Sequence, residues 1–176
     1  MHQPAHHHLA QFNIARIRYP LDDPRMREFV ENVELVNGLA DQIEGFVWRL
    51  QDESGHAMNM RVYDDATILP NLTVWKSVEA LERFVWQTLH RRFFVRREQW
   101  FAPIETTLVL WWIPHEHRPD MAEGVARLDH LIAHALFLQA EGHDQLPLRE
   151  ESDLAALPWR ARAASLSERR GAVHCL

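Results

Sequence analysis

The stretch that decides the fold is LAQFNIARIR, residues 9–18. Its apolar residues occupy both alternating sets of positions, with Phe12 and Ile14 on one side and Leu9 and Ile17 on the other. Successive side chains of a strand point to opposite faces, so this pattern predicts a strand that is buried on both faces. Each face therefore needs a covering layer, which the rest of the chain or a partner has to supply.

The elements that follow alternate between helical and strand patterns. After a Pro24 that suits a first helical turn, apolar residues recur at steps of four and three, which is one helical stripe. The full order is β-α-β-β-α-β-α, an α+β class with a ferredoxin-like sheet and one extra C-terminal helix. The predicted elements are a strand over 9–18, a helix over 24–43, strands over 46–51 and 68–75, a helix from 77 towards 101, a strand over 107–113 and a helix after 120.

The second apolar face of the sheet predicts a partner. A four-stranded antiparallel sheet with helices on one face normally leaves the other face in water. Here that face is apolar too, and a second copy of the sheet would cover it across a two-fold axis. We therefore expect a homodimer that closes a barrel across the two-fold axis.

The ends of the chain differ from its middle. We expect a flexible N-terminus over residues 1–7 and one folded domain over residues 8–136. Residues 137–176 contain Pro147 and Pro158 and little periodic apolar content. We expect this C-terminal tail to be mobile or loosely docked.

Composition limits the classes of function. The formal net charge of −6 argues against nucleic acid or an anionic membrane as the partner. The one cysteine, Cys175, excludes a disulfide within the chain. No apolar run reaches transmembrane length, and the first residues lack the basic and apolar parts of a leader. We expect a cytoplasmic protein whose partners are a small molecule and a second copy of itself.

Polar residues interrupt three strands that otherwise look buried. They are Asn13, Arg49 and Asn71. A buried polar group costs free energy unless it has a partner, so these side chains predict either a lined pocket or a ladder that pins the strand register. Arg49 would hold an anionic group of a ligand, or else pair with an acid such as Asp52 or Glu53, or with one across the dimer.

His90 is the strongest single candidate for chemistry. In a helix it shares a face with Trp86 and Phe94, one turn to either side. A histidine between aromatic rings that faces a sheet is suited to act as a base near neutral pH or to bind haem iron. The alternative is a core histidine bonded to a backbone carbonyl.

Tryptophans are abundant in the predicted domain, which holds six of the seven in the chain. Large aromatics usually fill cores, but this load also predicts that some face a cavity or an interface. We assign Trp48, Trp75, Trp86 and Trp111 to ligand binding. We expect no metal site, because His6-His7-His8 and His115-Glu116-His117 lie at a terminus and in a loop.

Several motifs together resemble one known family. They are LAQFNIAR (9–16), GFVWRLQ (45–51), NLTVWKS (71–77), His90, RREQWF (96–101) and LWWIP (110–114). The chain resembles, over about residues 8–136, a bacterial family of unknown function in the dimeric α/β-barrel group, related to the antibiotic-biosynthesis monooxygenases. That group includes cofactor-free oxygenases, haem-degrading enzymes and proteins without known chemistry.

The resemblance implies a monooxygenase-like enzyme that acts on an aromatic or polyketide-like ligand between sheet and helices, without a cofactor. His90 and Asn13 would be its catalytic residues, and Arg49 and Asn71 would orient the ligand. Two alternatives stay open. One is a non-catalytic dimer that binds a small molecule, and the other is a haem-binding protein, since some haem-degrading relatives pair a helix histidine with an asparagine on the first strand.

Overall fold

The structure is a computed structural model that describes residues 3–104 and 107–140, with side chains described as far as residue 134. Two short 3₁₀ turns, Pro24–Met26 and Arg97–Gln99, join longer elements. The strands and helices in chain order are β1 His7–Ile17, α1 Arg27–Gln42, β2 Phe46–Arg49, β3 Ile68–Trp75, α2 Val78–Gln87, α3 His90–Arg96, β4 Phe101–Ala102, β5 Leu108–Pro114 and α4 Met121–Ala140.

The strands form one sheet in the order β2-β3-β1-β5, and the short β4 pairs with the far end of β1. The described strand pairs are all antiparallel. Gln11 lies opposite Thr73, and Asn13 lies opposite Asn71, across the central pair. This is the ferredoxin-like strand order, so the predicted fold class is confirmed.

Helices α1 and α2 cover one face of the sheet, which we call the helical face. Leu9 and Trp75 from the strands are fully buried there against Phe84 of α2. Gly45 allows this close packing, because a Cβ on it would lie 2.5 Å from the Cβ of Ala80 and its φ is +94°. The turn between α1 and β2 therefore needs glycine for two separate reasons.

Helix α4 covers the opposite face, which we call the α4 face. Phe12 and Leu128 are fully buried between β1 and α4, and Trp111 is 3% exposed. Gly124 brings the helix backbone onto the sheet, since a Cβ there would meet the Phe12 ring at 2.8 Å. The chain thus buries the apolar face on which we expected a second copy. The reason given for a homodimer does not hold, and the homodimer stays a prediction.

The predicted helix from Ser77 to Phe101 is wrong in one respect, because it is broken at Thr88. The Thr88 hydroxyl donates a 2.6 Å hydrogen bond to the Phe84 carbonyl, and Thr88 itself has extended backbone angles. The same oxygen accepts a 3.1 Å hydrogen bond from the His90 backbone N–H. A single hydroxyl therefore makes hydrogen bonds to both sides of the break between α2 and α3, just before His90.

The structure describes part of each terminal segment that we expected to be flexible. In the segment expected to be flexible, the Gln3 amide donates to the backbone carbonyls of His7 at 2.7 Å and Lys76 at 2.8 Å. Helix α4 continues to Ala140, and the rest of the expected mobile tail lies outside the described residues. In the described part of the chain, no helix combines the length and apolar character needed to cross a membrane.

Candidate functional site

A chain of side-chain hydrogen bonds crosses β1 and β3 on the helical face. Asn71 Nδ2 and Gln11 Nε2 both donate to Asn13 Oδ1, at 2.9 and 2.5 Å. Thr73 Oγ1 donates to Gln11 Oε1 at 2.6 Å, and Trp75 Nε1 donates to Thr73 Oγ1 at 2.8 Å. We call these five residues the polar ladder. They join the two central strands at their paired positions, so the ladder stabilises the strand register. This is the second of the two predicted alternatives, the first being a lined pocket.

The polar ladder is closed at one end and open at the other. Gln11 and Thr73 are 7% and 6% exposed, whereas Asn13 is half-buried and Asn71 is exposed. Among the described residues, neither Asn13 Nδ2 nor Asn71 Oδ1 takes part in a hydrogen bond. The open end therefore offers one amide donor and one amide acceptor to water or to a ligand.

His90 lies on the same side of the sheet, at the start of α3. Its ring packs 4.8 Å from the Phe84 ring and 6.1 Å from the Phe94 ring, measured between centroids. Trp86, expected beside His90, packs instead against Phe94 at 5.4 Å. The break at Thr88 explains this difference, since Trp86 and His90 do not belong to one continuous helix.

The electrostatics of His90 follow from its burial. Burial lowers the pKa of His90 to about 4, and a hydrogen bond with the Val85 backbone opposes the shift. The ring is therefore neutral at physiological pH. Its Nδ1 atom is buried and has no hydrogen-bond partner among the described residues. A buried ring nitrogen without a partner costs free energy, so it is a feature that calls for a functional explanation.

Aromatic contacts connect His90 to the polar ladder. The Trp75 ring, whose N–H ends the ladder, packs 5.1 Å from Phe84, and Phe84 packs against His90. No hydrogen bond between described residues joins His90 to Asn13. The predicted catalytic pair thus shares one face of the sheet but has no direct contact through hydrogen bonds.

Arg49 is engaged within the fold. Its Nε and Nη2 atoms donate to the two carboxylate oxygens of Asp41 at 2.9 and 3.1 Å, and Nη1 donates to the Gly55 carbonyl at 2.6 Å. All three guanidinium nitrogens therefore have partners. The structure adopts the ion-pair alternative, with Asp41 at the end of α1 as the acid rather than Asp52 or Glu53.

The tryptophans assigned to ligand binding do not meet. Trp75 lies on the helical face, whereas Trp48 and Trp111 pack with residues of the α4 face. The Trp111 indole donates a 2.9 Å hydrogen bond to Glu123 of α4, and Arg118 lies 5.9 Å above the Trp48 ring. Of the predicted set, five residues share the helical face, with Trp86 one ring further out. They are Asn13, Arg49, Asn71, Trp75 and His90.

Sequence reasoning missed a cleft on the α4 face, which we call the α4 cleft. It has a volume of about 430 Å³ and opens to solvent. Its lining comes from four separate parts of the chain, so no local pattern marks it. The lining residues are Ile14, Arg16, Tyr63, Asp65, Ile68, Ile104, Asp129 and Ile132.

The pairing of β1 with β5 also brings the two histidine-rich segments together. The His8 and His115 rings stack at 4.1 Å, and the His6 ring meets His115 at 5.9 Å. Burial and the neighbouring His115 lower the pKa of His8. Within the described ranges, no three His, Cys, Asp or Glu side chains are grouped so as to hold a metal ion.

Comparison with solved structures gives matches to small proteins. A protein of Pseudomonas aeruginosa, PA3566, is 15% identical with a TM-score of 0.42, covering 68% of this chain and 100% of its own. A Nitrosomonas europaea protein described as a candidate antibiotic biosynthesis monooxygenase is 13% identical with a TM-score of 0.42, at the same coverage. A conserved protein of Methanosarcina mazei is 12% identical with a TM-score of 0.41, covering 63% of this chain and 95% of its own.

These identities and TM-scores are too low to say anything about the activity of this chain. A search of curated proteins finds no match. A family model, in contrast, matches residues 8–144, from the start of β1 to beyond the end of α4. The chain therefore belongs to the family described as a domain of unknown function, DUF3291.

Proposed function

We propose that the protein binds a hydroxylated aromatic molecule on the helical face, beside His90, and oxidises it with molecular oxygen without a bound cofactor. The observation that carries the proposal is the buried, unpartnered Nδ1 of His90 between Phe84 and Phe94. A phenolic or enolic hydroxyl would supply the missing hydrogen bond. Phenyl rings on either side suit a flat aromatic body.

The polar ladder and His90 have different parts in this proposal. Asn13 and Asn71 lie at the open end of the ladder, beyond Trp75 and Phe84 as seen from His90. Their free amide donor and acceptor would therefore bind only the distant polar substituents of an extended ligand. Trp75 and Phe84 form an apolar wall between ladder and histidine. His90 is neutral at physiological pH, so its ring nitrogen can accept a hydrogen bond from the hydroxyl. Because burial disfavours the imidazolium, proton transfer to His90 would depend on the ligand anion that it leaves beside the ring.

The proposed reaction needs no further electron donor. A CH₂ group between two aromatic rings and one O₂ give a carbonyl group and one water molecule, so the substrate itself supplies all four electrons that reduce O₂. Loss of the acidic proton to His90 would give the electron-rich anion that reacts with O₂. The protein would contribute orientation, exclusion of water and one proton acceptor.

Anthrone is a suitable probe, since it has such a CH₂ group and a phenolic tautomer. We expect the protein to consume one O₂ for each anthraquinone formed, and His90→Gln to lower kcat/KM by about 100-fold, in the range typical of a lost general base. His130→Gln on the exposed side of α4 is the matched control, with unchanged turnover. If His90→Gln keeps both the turnover and the anthrone affinity of the parent chain, His90 does not belong to the site.

A non-catalytic binding protein is the second candidate. One observation favours it. Among the described residues, no polar side chain is bonded to His90 Nδ1, so His90 has no group to which it could pass a proton. Anthrone that binds without oxygen uptake would support this candidate. Haem is the other possible ligand of His90, and a Soret band in the protein titrated with haemin, absent from His90→Gln, would identify it.

A further inference from the structure

The α4 cleft has the form of a small-molecule site. Ile14 and Ile68 of the sheet form its floor and are 8% and 6% exposed, and Ile104 and Ile132 add apolar walls. Its volume of about 430 Å³ falls in the range of pockets that bind small ligands. It lies on the opposite face of the sheet from His90, so it is a separate site from the one proposed above.

One polar anchor at the rim is held in place by the fold. The Tyr63 hydroxyl donates a 3.0 Å hydrogen bond to Asp129 Oδ1. Burial and the Asp129 carboxylate raise the pKa of Tyr63 to about 12, so the phenol keeps its proton. Asp129 Oδ2 has no hydrogen-bond partner among the described residues. The tyrosine therefore orients a carboxylate whose second oxygen stays available to a ligand.

The charges at the rim favour a cation. Arg16 and Asp65 lie 3.5 Å apart and offset each other, with side chains 47% and 42% exposed. Asp129 then leaves one negative charge in excess among the lining residues. An anionic ligand would have to separate Arg16 from Asp65 and approach Asp129. A cationic ligand meets the available carboxylate oxygen directly.

We propose that the α4 cleft binds a small molecule with an apolar body and a single amine. The body lies on the four isoleucines, and the ammonium group donates to Asp129 Oδ2 beside Tyr63. Asp129 supplies the charge, Tyr63 positions it, and the isoleucine floor supplies the apolar contact. The proposal is independent of any activity at His90.

Calorimetric titration of the full chain with three matched probes tests the proposal. The probes are 4-phenylbutylamine, 4-phenylbutanol and 4-phenylbutanoate, which share an apolar body and differ in charge. We expect the amine to bind about threefold to fivefold more tightly than the alcohol. Both probes can donate a hydrogen bond to the exposed Asp129 carboxylate, but only the ammonium adds an ion pair. The carboxylate should show no binding. Equal affinity for amine and alcohol, or tighter binding of the carboxylate, would overturn the proposal.

Variants locate the binding. Asp129→Asn retains an acceptor for Tyr63 but removes the charge, so the preference for the amine over the alcohol should disappear. Asp22→Asn, at an exposed position before α1, is the matched control and should keep the preference. Amine-induced amide shifts that map to α2 and α3 instead of Ile14, Ile68 and Asp129 would refute the site. The comparison of the three probes on the unmodified chain stands even if a variant fails to fold.

Discussion

Replacing His90 by Gln should change the pH dependence of stability as well as any activity. The folded state holds the pKa of His90 at about 4, below its ordinary value of 6.5, because the ring is buried. Protonation therefore favours the unfolded chain, and the stability that depends on neutral His90 is present above pH 6.5 and lost as the pH falls towards 4. Linkage gives a loss of about 2 kcal/mol between pH 7 and pH 4.5.

The measurement is urea unfolding of the parent chain and His90→Gln at pH 7, 5.5 and 4.5. Gln binds no proton in this range, so the free energy of unfolding of the variant should fall by about 2 kcal/mol less than that of the parent. The other histidines are common to both chains and cancel in the difference. The free energy of unfolding of His130→Gln should change with pH as that of the parent chain does. Parallel curves for the parent and His90→Gln would refute the idea of a buried neutral ring.

Three substitutions test the packing and the polar ladder described above. Gly124→Ala should lower the free energy of unfolding by about 2 kcal/mol or more, because its Cβ would meet the Phe12 ring at 2.8 Å. Gly38→Ala in α1 is the contrast. Its Cβ meets nothing within 4 Å, so the free energy of unfolding should rise by about 0.5–1 kcal/mol. Thr73→Val should cost about 1–3 kcal/mol, because it leaves the buried Trp75 indole N–H without its acceptor; denaturant midpoints compared with that of the parent would check all three values.

The order of the elements could be predicted because each depends on neighbouring residues. Alternation along β1 and the stripe along α1 are periodic signals, and α2 begins after Ser77, its cap, where the sequence predicted a helix to start. The break between α2 and α3 could not be predicted in this way. Residues 77–100 contain no Pro or Gly, and the hydroxyl of Thr88 makes both hydrogen bonds that interrupt the helix.

The site was predicted only in part, for a related reason. The sequence identified Asn13 and Asn71 as polar interruptions of strands that look buried, and the antiparallel pairing of β1 with β3 makes them neighbours. The partner of Arg49 depends on how the end of α1 packs beside β2, which no local pattern reveals. The α4 cleft depends on the position of α4 relative to Tyr63, 66 residues away in sequence from Asp129, and so lay beyond sequence reasoning altogether.

The α4 face can be covered either by the chain's own α4 or by a second copy of the chain, but not by both. A second copy that docked through Phe12 and Trp111 would need the surface that Leu128 and Gly124 already occupy. Association through this face must therefore begin with release of α4, and release of α4 also dismantles the cleft that Asp129 and Ile132 line. A ligand in that cleft would compete with self-association through linkage, and would lower the fraction of dimer without touching the second copy.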